Sequence, residues 1–182
     1  MGRLYYITGG AGSGKSEYVE QLAERLHAEL AGPLYYVATM HPAPRDSDAA
    51  ARIAKHQTRR AGRGYTTIEC PTDIAQLRAQ TLKNAVILLE DLTNLYANEV
   101  YGTSGHPHEI VAPLLELAQQ AGAVIIVANE LYSDGIDYGP ETATFLRNLA
   151  GIAAELSVAA DQVTEVVYGI PVQLKGVLCS IH

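Results

Sequence analysis

Residues 9–16 read Gly-Gly-Ala-Gly-Ser-Gly-Lys-Ser. They fall between a short apolar, aromatic run at residues 4–8 (LYYIT) and a helix-length segment at 16–30 with Val19, Leu22, Leu26 and Leu30 on one face. The octet fits G-x-x-x-x-G-K-[ST], and the strand before it and the helix after it are the context that motif requires. Gly9, Gly10, Gly12 and Gly14, with Ala11 and Ser13 between them, let backbone N–H groups wrap around phosphate oxygens. The N-terminus of the following helix adds partial positive charge. Lys15 is placed to reach the β- and γ-phosphates of a nucleotide, and the Ser16 hydroxyl to ligate Mg²⁺. A loop set between a strand and a helix marks the start of an α/β unit.

The rest of the chain repeats that alternation. Strands are predicted at 34–38 (LYYVA), 65–69 (YTTIE), 85–89 (AVILL), 123–128 (AVIIVA), 163–168 and 172–174. Two of these, 85–89 and 123–128, are apolar throughout, as expected of strands buried on both faces of a parallel sheet. Helices are predicted at 48–60, from Pro71-Thr72 to about Leu82, briefly after residue 91, at 109–121 and at 141–160. Such alternation implies an α/β fold with a mainly parallel sheet. No repeat or linker divides the chain, and 182 residues suit one domain.

Charge narrows the function classes. Thirteen Lys and Arg against twenty Asp and Glu leave a net −7. Non-specific nucleic-acid and anionic-membrane binding need clustered positive charge, so phosphates must be bound at a local site and no nucleic-acid partner is expected. Cys70 and Cys179 are too few for a disulfide framework and lack metal-ligand spacing. No apolar run approaches the roughly 20 residues that span a bilayer. The segment Met1-Gly2-Arg3-Leu4 runs straight into a strand without a signal-peptide pattern, so a cytoplasmic location is expected.

Two further features carry chemistry. The strand at 85–89 ends in Glu90-Asp91. A P-loop needs a Mg²⁺-associated carboxylate at the end of a neighbouring buried strand, and the apolar run before Glu90 favours it over Asp91. Next, Asp48, Arg52, His56 and Arg60 recur every four residues, on one face of the predicted helix. An imidazole between two guanidiniums resists protonation and is then a nucleophile, while the arginines can hold phosphate oxygens. The same stripe also fits an ordinary solvated helix face, and both readings stay open on the residues alone. His106 and His108 share a loop, with no further metal ligands evident.

Taken together, the motifs resemble the bifunctional adenosylcobinamide kinase / adenosylcobinamide-phosphate guanylyltransferase family. The P-loop is followed by Tyr36-Val37-Ala38-Thr39, by Asp46-Ser47-Asp48 leading into Arg52-Ile53-Ala54-Lys55-His56, and by Tyr65-Thr66-Thr67-Ile68-Glu69. Then come Leu88-Leu89-Glu90-Asp91-Leu92-Thr93 with Asn98, Val127-Ala128-Asn129-Glu130, Ala159-Ala160-Asp161-Gln162-Val163, and Gly169-Ile170-Pro171-Val172-Gln173-Leu174-Lys175. The resemblance spans about residues 4–176. It implies a P-loop NTPase of RecA-like α/β type: a mainly parallel sheet flanked by helices, with an antiparallel C-terminal edge strand. The expected layout is one domain at 1–176 and a tail at 177–182.

The resemblance also implies two reactions. Adenosylcobinamide is phosphorylated with ATP or GTP, and GMP then passes from GTP to that phosphate through a guanylylated histidine, here His56. Lys15, Ser16 and Glu90 would hold the triphosphate and Mg²⁺. Arg52 and Arg60 would steady phosphate near His56, and Glu69 joins the nucleotide site. A corrinoid is the small-molecule partner, and a homotrimer is implied. A kinase without guanylyl transfer, and a nucleotide-binding module without turnover, are the alternative readings. Departures from the family pattern concentrate in a few places. Gly12 stands where Arg is usual and Asp91 where Cys is usual. The loop at 131–140 is similar only in outline. Arg147-Asn148-Leu149-Ala150-Gly151 partly matches a family helix, with Ala154 and Glu155 in place of Asn and Gln.

Overall fold

In the computed structural model, which describes residues 2–40, 58, 60–102, 110–133 and 135–177, the apolar runs pair into one seven-stranded sheet. The strands are β1 (Arg3–Thr8), β2 (Leu34–Ala38), β3 (Tyr65–Glu69), β4 (Val86–Glu90), β5 (Ala123–Val127), β6 (Gln162–Val167) and β7 (Ile170–Lys175). Their spatial order is β3-β2-β4-β5-β1-β6-β7. The pairings are parallel except β6 with β7, which closes the sheet as an antiparallel edge.

Side chains alternate across the strands, and each face has its own core. On one face Tyr5, Ile7, Leu34, Tyr36, Val86, Leu88, Ile125 and Val127 pack against Val19, Leu22 and Leu26 of α1 (Lys15–Leu30). On the other, Leu4, Tyr6, Val37, Ile87, Leu89, Val124 and Ile126 meet α2 (Leu92–Tyr101), α3 (Val111–Gln120) and α4 (Pro140–Ala159) through Leu92, Leu95, Leu114, Leu117, Leu149 and Leu156. The helix α1 starts on Gly14, whose φ of 94° is left-handed, and ends on Ala31 at φ 50°.

Two expectations are corrected. The helix predicted from residue 71 to about residue 82 is a single 3₁₀ segment, Ile74–Ala79. Only Ile74 and Leu77 of it are buried, three residues apart, which suits three residues per turn rather than the wider stripe of an α-helix. Its N–H groups of Gln76 and Gln80 donate three residues back, to Asp73 and Leu77. Secondly, β4 does not neighbour β1, since β5 lies between them. The acid at the end of β4 meets the loop after β1 because α1 lies across β5 and β4 on that face. Of the helix predicted at 48–60, Thr58 and Arg60 are helical and the remainder lies outside the described residues, as do Cys179 and the loop with His106 and His108.

Candidate nucleotide site

The glycine loop is fastened on two sides. The Glu130 N–H donates to the Gly9 carbonyl at 3.0 Å, from the end of β5. The Gly169 N–H donates to the Ser13 carbonyl at 2.7 Å, from the turn between β6 and β7. A Cβ on Gly9 would stand 2.4 Å from the Val166 carbonyl oxygen, so the loop touches β6 as only glycine permits. Lys15 is buried, and its Nζ donates to the Gly9 and Gly10 carbonyls, both at 2.7 Å. Burial pulls its pKa down from the usual lysine value, and the nearby Asp91 and Glu90 work against that.

Register places the acids. Ile7, Val127, Glu90, Ala38 and Glu69 form one row across β1, β5, β4, β2 and β3, near the C-terminal ends of the strands. Alternation turns that row toward α1. The Ser16 Oγ donates to Glu90 Oε1 at 2.8 Å, and the Tyr36 hydroxyl donates to Glu90 Oε2 at 3.1 Å. The Arg60 guanidinium stacks 3.3 Å above the centre of the Tyr36 ring. Arg60 is 6% exposed, and its Nε and Nη1 have no hydrogen-bond partner among the described residues. A buried, charged donor without a partner costs about 1–3 kcal/mol or more.

Asp91 turns to a different task. Its carboxylate accepts from the Asn94 N–H at 2.7 Å, capping α2, and from Asn129 Nδ2 at 3.0 Å. The Thr39 hydroxyl bridges to the Asp91 backbone, accepting from its N–H at 2.7 Å and donating to its carbonyl at 2.8 Å. Burial raises the Asp91 pKa above its ordinary 3.8, and the Asn94 bond offsets part of that. A raised native pKa means the folded state binds the extra proton, so the stability cost is absent below about 4 and fully present above the native value. Asp91→Asn keeps a good cap and is relieved of that cost once Asn129 flips its amide. Its melting temperature should therefore exceed wild type near neutral pH, with the gap closing as pH falls from the raised native value to about 4 in a thermal-melt series. A constant gap would show that the charge is not the cause.

The structure thus brings Lys15, Ser16, Glu90 and Arg60 to one end of the sheet. Glu69 lies in the same row but is exposed and two strands from Glu90, roughly 10 Å away by strand spacing. His56 and Arg52 lie outside the described residues. Tyr36 carries part of the site but is not among the sequence candidates. Its signals were its place in the Tyr36-Val37-Ala38-Thr39 motif and a hydroxyl on a strand that ends beside the acid.

A glycine loop between β1 and α1, facing an acid two strands away on a mainly parallel sheet, defines a P-loop nucleotide-binding fold. Solved structures share it: the flagellar accessory protein FlaH from Methanocaldococcus jannaschii (TM-score 0.54, 13% identity, 96% of this chain and 78% of that one) and an ATPase domain (TM-score 0.53, 11% identity, 90% and 68%). Closer likeness lies in sequence. The family described as cobinamide kinase / cobinamide phosphate guanyltransferase matches residues 5–174. A bifunctional adenosylcobalamin biosynthesis protein of Pseudomonas aeruginosa is 30% identical over 176 residues, 93% of this chain and 96% of the relative. Its Escherichia coli counterpart is 31% identical over 191 residues, 94% and 99%. The chain belongs to the cobinamide kinase / cobinamide phosphate guanyltransferase family.

Proposed function

We propose that this chain is a transferase that phosphorylates adenosylcobinamide with ATP or GTP. It then moves GMP from GTP onto the new phosphate, giving adenosylcobinamide-GDP. The observation that carries the reading is the 2.8 Å contact of Ser16 with Glu90 beside the buried Lys15, in a chain matched to the family over residues 5–174. In the first reaction the substrate hydroxyl attacks the γ-phosphorus and the nucleoside diphosphate leaves. The Lys15 ammonium exchanges loop carbonyls for phosphate oxygens and follows the charge that builds on them. Ser16 Oγ and the Glu90 carboxylate are adjacent hard oxygen donors, the kind Mg²⁺ takes, so the residues fit that ion. When bound, it supplies charge neutralisation at the phosphate oxygens.

In the second reaction a neutral His56 nitrogen attacks the α-phosphorus of GTP. An N–P bond forms, and the bond to pyrophosphate breaks. The phosphate of the corrinoid then attacks that phosphorus, the N–P bond breaks and the imidazole is freed. The two orphaned N–H positions of Arg60 support a phosphate-holding role for it, and Arg52 shares that role. Glu69 completes the nucleotide-binding set. We place the enzyme in the cytoplasm, with its nucleotide substrates, as a homotrimer. The exposed stripe Ile170, Val172 and Leu174 along the edge strand β7 supports an oligomer.

Intact-protein mass spectrometry after incubation with GTP and Mg²⁺ tests the central step. The wild type should gain the mass of one GMP unit, and His56→Ala should gain none. No adduct on the wild type, with GTP bound, would remove the guanylyl-transfer half and leave the kinase to stand or fall on its own assay.

A further inference from the structure

Glu90 has two carboxylate oxygens and a terminal torsion that is soft on its own. One oxygen takes the Ser16 hydroxyl at 2.8 Å, and the other takes the Tyr36 hydroxyl at 3.1 Å. The Tyr36 ring is 6% exposed, on a strand bonded on both sides, with β3 and β4. Its hydroxyl is therefore fixed in space rather than swinging on a long stem. A carboxylate only accepts, so the phenol must be the donor. The Arg60 guanidinium carbon sits over the face of the ring, 3.3 Å from its centre.

We infer that Tyr36 is a positioning residue: its hydroxyl holds Glu90 turned so that one oxygen meets Ser16 where Mg²⁺ is to be bound, with Arg60 stacked behind it. The inference rests on the reading of Ser16 and Glu90 as the Mg²⁺ ligands. Partners that orient a metal-binding carboxylate commonly affect metal affinity strongly, by about 10–100-fold. Packing of the ring against α1 is a separate contribution, which phenylalanine would preserve.

The test is binding of a fluorescent GTP analogue titrated with Mg²⁺, in wild type, Tyr36→Phe, Glu90→Gln and the double variant. Tyr36→Phe should raise the Mg²⁺ concentration for half-maximal binding about tenfold, while affinity for the nucleotide without Mg²⁺ stays at the wild-type value. Added to Glu90→Gln, it should do almost nothing more, because the two residues act through one contact. Equal weakening with and without Mg²⁺, or full additivity in the double variant, would overturn the assignment and leave Tyr36 as packing. An Mg²⁺ response unchanged by Glu90→Gln would overturn the reading of Glu90, and the role of Tyr36 with it. A normal Glu90→Gln effect beside an unchanged Tyr36→Phe removes Tyr36 alone.

Discussion

Lys15→Met should fold as well as the wild type and lose phosphoryl transfer by about 10²–10³-fold, the scale seen when one preorganised donor to a transition state is removed. Both halves of the expectation come from the surroundings of Nζ. Its two acceptors, the carbonyls of Gly9 and Gly10, each keep another donor: the Glu130 N–H at 3.0 Å and the Ser13 N–H at 3.2 Å. Removing the ammonium therefore orphans neither carbonyl. Burial lowers the native pKa of Lys15, so the charged form is disfavoured by folding at neutral pH. Methionine fills a similar volume without that cost. The linkage sign follows: at Lys15 the unfolded chain binds more protons than the folded one above the lowered native value, so this group's contribution to stability rises with pH up to about 10.5, and the variant lacks that contribution. Thermal melts at pH 7 beside a kinase assay with adenosylcobinamide check both halves. A variant with more than a tenth of wild-type turnover would refute the role of Lys15, and one that fails to melt cooperatively would refute its dispensability to the fold.

Much of this arrangement was legible because it is written in local patterns. The strands at 34–38 and 65–69 have the bounds their apolar and β-branched runs gave them, and the long helix Pro140–Ala159 begins and ends within one residue of its predicted place. The phosphate loop was legible because Gly, Lys and Ser at that spacing serve almost no other purpose. What local pattern could not supply was order in the sheet. Whether β4 neighbours β1 or stands two strands away depends on which crossover passes where, and the insertion of β5 leaves no trace in either strand. The 3₁₀ segment was missed because helix propensity in Ile74–Ala79 reads the same for both kinds of turn. The spacing of Ile74 and Leu77 decides it only once burial is known. Tyr36 escaped for a third reason. Its hydroxyl meets Glu90 across a register that is fixed by the whole sheet. The predicted strand at 163–168 likewise ran through Tyr168, where the structure turns after Val167, and nothing in that sequence says that the turn holds the phosphate loop.

That turn sets the other large effect. Gly14 has φ 94°, and a Cβ on it would stand 3.0 Å from the Gly169 Cα. The contact is with backbone, which cannot swing aside as a side-chain tip can. Gly14→Val adds a left-handed β-branched residue, at about 1–2 kcal/mol, and drives the turn away from the loop. The Gly169 N–H, 2.7 Å from the Ser13 carbonyl, then loses its acceptor, and the loop its outer wall. A displacement near 1 Å in a site of this kind costs about a hundredfold in kcat/KM. Gly12→Arg is the control, and it restores the residue usual in the resembling family. Gly12 is also left-handed, at φ 71°, but nothing lies within 4 Å of its Cβ position. It should lose about 1–2 kcal/mol of stability from the backbone alone and keep its nucleotide affinity. Titrating both variants with GTP, beside denaturant melts, separates strain from collision. If the two lose affinity alike, left-handed strain alone governs the loop and the contact with Gly169 is incidental. If only Gly14→Val loses it, the antiparallel edge of the sheet supports the phosphate loop through Gly169.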